Sequence, residues 1–83
     1  MTTRDLSRRI TLHRRRGTAA LERYGTAHAD LRQARTFGDE DRARVAAAAV
    51  EEARREYVRA VGSAKVLESI VEERRVRREE RVS

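Results

Sequence analysis

Phe37-Gly38-Asp39-Glu40-Asp41 is the stretch on which the reading of this chain turns. Glycine supplies the left-handed backbone position that ends helices. The aspartate after it is a preferred N-cap, and two further acids crowd the next turn, where the helix dipole favours negative charge. Five residues therefore read as a helix stop followed at once by a helix start. An apolar 3-4 repeat leaves this point in both directions. Upstream it runs Leu6, Ile10, His13, Gly17, Ala20, Tyr24, Ala27, Leu31, Ala34; downstream it runs Ala43, Ala46, Val50, Ala53, Tyr57, Ala60, Ala64, Leu67, Val71. Folding the chain at Gly38 sets one stripe against the other. The expected fold is all-α: a two-helix antiparallel coiled-coil hairpin forming one unit over 1–83, with helix one over about 3–37, a turn at 37–39 and helix two over about 40–80.

Local signals agree with this division. Thr2 with Asp5 three residues later has the form of a capping box, and Ala46-Ala47-Ala48-Ala49 gives the second helix a stretch of high intrinsic propensity. At 1.5 Å per residue the helices reach ~50 and ~65 Å, so the second outruns the first and residues past about 73 overhang. Glu73 and Arg77 in that tail have the favourable i,i+4 order. The turn sets Leu31 opposite Val45 and Leu6 opposite Ile70, and brings Gly17, Ala20, Ala60, Gly62 and Ala64 to a similar height. Little side-chain bulk separates the backbones there, which predicts a narrow waist. Tyr24 and Tyr57 are expected inside the hairpin, close to one another.

Two helices alone bury little apolar surface. Leu12, Leu21, Val45, Val58, Val61, Val66 and Ile70 lie beside or outside the seam. Leaving several such side chains in water favours association, through a four-helix bundle of two hairpins or docking on another protein. Leu12, Leu21, Val45, Val58, Val66 and Ile70 are accordingly the candidate apolar partner-binding residues.

Composition narrows the function classes. Charged residues make up 41% of the chain and aromatics 4%, a balance suited to long solvated helices and unlike a ligand-enclosing globule. The absence of cysteine removes disulfides, thiolate catalysis and sulfur-ligated zinc. His13 and His28 are fifteen residues apart, not at the i,i+4 spacing that joins two ligands on one helical face. No nucleophile, acid and base converge, no glycine-rich phosphate loop is present, and no small-molecule substrate or cofactor is implied. The expectation is a non-enzymatic protein. No apolar run approaches the roughly 20 residues of a membrane span, and the first residues lack the apolar core of a secretory signal, which points to the cytoplasm.

Arginine is the remaining distinctive feature. The net charge is +6, and all of the excess lies in residues 1–36, which carry nine arginines against Asp5, Glu22 and Asp30. Arg9, Arg16 and Arg23 recur every seven residues beside the seam, while Arg8 and Arg15 form a neighbouring row. Arg9, Arg16 and Arg23 are the candidate basic contacts to an acidic protein surface or to nucleic-acid phosphates. Internal pairing competes with both: Glu56 lies on the matching flank near Arg16 and Arg23, where an ion pair would fix the register.

Ala64-Lys65-Val66-Leu67-Glu68-Ser69-Ile70-Val71-Glu72-Glu73-Arg74-Arg75 resembles the second helix of the export-stalk proteins of flagellar and type III secretion systems, the FliJ/YscO kind. The likeness lies in a lysine followed by Leu-Glu and a Glu-Arg-Arg cluster. It implies a helical hairpin that meets an export ATPase and gate as a non-enzymatic adaptor. The residues themselves indicate a coiled-coil adaptor, chaperone or assembly subunit with a protein partner or self-association. Nucleic-acid binding by the Arg-rich first helix is the alternative.

Overall fold

A computed structural model describes residues 1–82 as two helices, α1 (Thr3–Thr36) and α2 (Glu40–Val82), packed side by side as an antiparallel hairpin. The molecule measures 66 × 17 × 13 Å, so the length of α2 sets its long axis. α1 starts at a complete capping box. The Asp5 amide donates to Thr2 Oγ1 at 3.1 Å, and the Thr2 amide donates back to Asp5 Oδ2 at 3.2 Å. These bonds satisfy amides that the first helical turn leaves without partners.

The reversal takes the expected form. Gly38 sits at φ 69°, the only positive φ among the described residues. Its amide donates to the Arg35 carbonyl at 3.2 Å, and the Asp39 amide donates to the Ala34 carbonyl at 2.9 Å, the double closure of a Schellman turn. Asp39 then caps α2, its Oδ1 accepting from the Arg42 amide at 3.0 Å. Phe37 closes α1 and stands in solvent.

The seam is built almost wholly from alanine. Leu6, Gly17, Ala20, Ala27, Leu31 and Ala34 of α1 are buried against Ala46, Ala53, Ala60 and Ala64 of α2. Ile10, His13, Tyr24, Ala43, Val50, Leu67 and Val71 are half-buried along its margins. Small residues permit close approach, and at Gly17 an added Cβ would meet Val61 Cγ2 at 3.7 Å and the Ala60 Cβ at 3.8 Å.

Three expectations need correction. Gly62 takes no part in the waist, since a Cβ there would meet nothing within 4 Å; five residues beyond Tyr57, it lies on the outward side of α2. Val45 is 72% exposed and does not face Leu31; the adjacent Ala46 occupies the seam instead. Tyr57 lies at the groove edge at 36% exposure, because its ring is too large for a contact otherwise made by Ala and Gly. Tyr24 accordingly does not stack on it but packs edge-on against His28 of its own helix, with centroids 4.5 Å apart. Ile70, like Val61, is half-buried beside the seam.

α2 passes the start of α1 near Arg74, whose Nη1 donates to the Met1 carbonyl at 2.9 Å. Beyond it the helix continues on intrahelical ion pairs. Arg75 bridges Glu72 and Glu79, and Arg77 lies 3.6 Å from Glu73.

Candidate interaction surface

With alanine filling most of the seam, several of the larger apolar side chains are left outside. Leu12, Leu21, Val45, Val58 and Val66 are 47 to 72% exposed. They do not form one stripe. Leu21 joins Tyr57 and Val61 along a groove on one flank, level with Gly17 and bounded by Arg14, Lys65 and Glu68. Val58 and Val66 stand on a separate shelf, with Gly62 between them and Arg9, His13 and Arg59 around it. Val45 lies near the turn, and Leu12 is alone on the outer face of α1, lining a shallow surface with Arg4, Arg8 and Arg15. The 3-4 repeat identifies which residues lie outside the seam. It does not show that the helix curvature divides them between two flanks.

The predicted basic stripe is divided as well. Arg23 is committed to Glu56, its Nη2 donating to Oε2 at 2.5 Å across the hairpin. Arg14, on the opposite flank, pairs with Glu68, its Nε donating to Oε1 at 3.0 Å. Arg16 has no ion-pair or hydrogen-bond partner among the described residues, and Arg9 only lies near Asp5. The heptad spacing of Arg9, Arg16 and Arg23 does not include the Arg14 pair. Its signal was available in the antiparallel pairing of like flanks.

The charge pattern differs between the helices. α2 neutralises itself locally through Arg44–Asp41, Arg54–Glu51, Arg55–Glu51 and the tail pairs. α1 contains no such pair among the described residues apart from the capping contacts of Asp5. The pKa values follow these contacts. Asp5 is held below the usual carboxylate range, first by the Thr2 hydroxyl and then by the Thr2 amide. Hydrogen bonds from Arg54 and Arg75 lower Glu51 and Glu72 in the same way. Side-chain hydroxyls of Thr11, Thr18, Thr26 and Thr36 donate to carbonyls four residues back, so they are occupied by the helix itself.

Among the described residues no group of histidines and acids is placed to hold a metal ion, and no helix is long and apolar enough to cross a membrane. Among the described residues the surface offers apolar contact and charge along open grooves. Comparison with protein-family models, with curated proteins and with solved structures finds no match to this chain.

Proposed function

We propose that this chain is a non-enzymatic assembly element, a helical hairpin that completes its burial against another protein or a second copy. The supporting observation is the placement of size: apart from Leu6 and Leu31 the buried seam is alanine and glycine, while Leu12, Leu21, Val45, Val58 and Val66 stand in water. Fully burying one Val or Leu side chain contributes about 1.5 to 3 kcal/mol, so five exposed ones are a large fraction of what so thin a hairpin can hold. An adaptor, chaperone or assembly subunit is the role such a surface serves. A secretion complex is one setting, in keeping with the resemblance of residues 64–75 to export-stalk proteins. Light scattering over a range of concentrations tests the proposal, together with Val58→Glu and Val66→Glu. Loss of association with helicity retained supports it; a strict monomer that melts cooperatively and binds no protein removes it.

A second reading, nucleic-acid binding, draws on the unpaired arginines of α1. Phosphate contacts made by Arg8, Arg15 and Arg16 would give a steep dependence on salt. An electrophoretic shift at two salt concentrations separates the readings, and no shift at low salt discards this one.

A further inference from the structure

We propose that the Leu12 face of α1 docks the C-terminal extension of α2 from a second copy of this chain. Positions three and four residues away on either side are the neighbours of a helical residue on its own face. For Leu12 all four are arginine: Arg8, Arg9, Arg15 and Arg16. For Val76 all four are glutamate: Glu72, Glu73, Glu79 and Glu80. Each ring surrounds one exposed apolar side chain, Leu12 at 47% and Val76 at 38%. One chain thus carries an apolar knob framed by four cations and another framed by four anions, in the same geometry.

The two cannot meet within one molecule. α2 is helical through Val82, and Arg74 is already level with Met1, so Val76 lies beyond the end of α1 and out of reach of Leu12. A second copy removes the obstacle. When two hairpins overlap their open ends about a twofold axis, each tail lies along the first half of the other's α1, and both contacts form together. The rings read the same in either chain direction, so the match does not depend on helix polarity.

The partners are available for exchange. Arg8, Arg15 and Arg16 make no ion pair or hydrogen bond among the described residues. The tail glutamates hold exposed intrahelical partners, Glu72 and Glu79 on Arg75 and Glu73 near Arg77, and exposed pairs of this kind stabilise a helix only slightly. Trading them for contacts around a desolvated Leu12–Val76 centre gains both charge complementarity and apolar burial. Other occupants use less of the site. A phosphate backbone leaves Leu12 without a role, and an anionic lipid surface requires a broader apolar face than one leucine.

The test uses the full chain in sedimentation equilibrium at low and high salt. The wild type should form a dimer that salt weakens. Arg8→Glu with Arg15→Glu, and separately Glu73→Arg with Glu80→Arg, should each weaken self-association by about tenfold or more, because like charges then meet across the contact. An equimolar mixture of the two variants should recover a dimer, and far-UV circular dichroism should show both still helical. Recovery on mixing cannot arise from unfolded protein. A monomeric wild type overturns the proposal, as does a mixture no more associated than its components. So does a monomer whose arginines bind duplex DNA or anionic vesicles instead. The inference rests on the reading that this chain completes its burial by association. Dimers lost in Val58→Glu yet unaffected by the charge reversals would overturn the docking and leave that reading standing.

Discussion

Arg23 and Glu56 close to 2.5 Å on one flank of the hairpin while Arg14 and Glu68 close on the other, so the two helices are tied from both sides. This arrangement opposes sliding. A slip of one heptad carries Arg23 to Ala49 or Ser63, and carries Arg14 to Val61 or to the like charge of Arg75. All four side chains remain partly solvated, so each pair is worth only about 0.2 to 1 kcal/mol. A double-mutant cycle of Arg23→Ala and Glu56→Ala, followed by urea unfolding, should return a coupling in that range. A coupling indistinguishable from zero would remove the pair as a register device.

The glycines should separate by sign. Gly25 and Gly62 have open space around a would-be Cβ and ordinary helical φ, so alanine at either should raise stability by up to about 1 kcal/mol. Gly38 also has space, but its φ of 69° is a conformation that L side chains resist. Gly38→Ala should cost about 1 to 2 kcal/mol. Melting temperatures of the three single variants decide the matter. A Gly38→Ala protein as stable as the wild type would mean that the turn does not need its left-handed residue.

The division into helices was legible because its signals are local. Gly38 and Asp39 stop one helix and start the next through hydrogen bonds within a few residues, and Thr2 with Asp5 does the same at the start of α1. The seam was legible because a 3-4 repeat maps directly onto one helical face. Rotation at the edges was not. Val45, Tyr57 and Gly62 were misplaced because their positions depend on how far each helix turns relative to its partner, which pairing by height alone does not fix. Leu12, Leu21, Val45, Val58 and Val66 lie outside the seam and Val61 and Ile70 at its margin, but the separation of the outer residues onto two flanks required three dimensions.

Acid should loosen the start of α1 and two stretches of α2, around Glu51 and around Glu72. Asp5, Glu51 and Glu72 have pKa values lowered in the folded state by the Thr2 hydroxyl, Arg54 and Arg75 respectively. A lowered folded value means that the charged form is preferred on folding. Its contribution is therefore present above the unfolded carboxylate pKa and is lost as pH falls through the lowered value. Helicity should stay level from neutral pH to the ordinary carboxylate range and decline below it. Asp5→Asn should make the acid limb of the titration shallower, and an unchanged limb would show that the capping carboxylate carries none of it.

Ala20 bears on the relation between seam and outer face more directly than any other residue. It is fully buried, as is Ala34, and the helices pack around it at a height where Gly17 is also enclosed. A leucine there has no free volume to enter, so Ala20→Leu must push the helices apart or adopt a strained rotamer, at a cost of about 1 to 3 kcal/mol. The same change on the exposed side of α2, Ala48→Leu, should stay within about 0.5 kcal/mol. Denaturant midpoints of the two variants provide the comparison. If Ala20→Leu instead raised stability, the seam would have room for large residues, and the leucines and valines outside would no longer be there because the inside is full. The case for a partner would then lose its physical basis, whereas a selective loss at Ala20 ties the exposed surface to the close approach of the two helices.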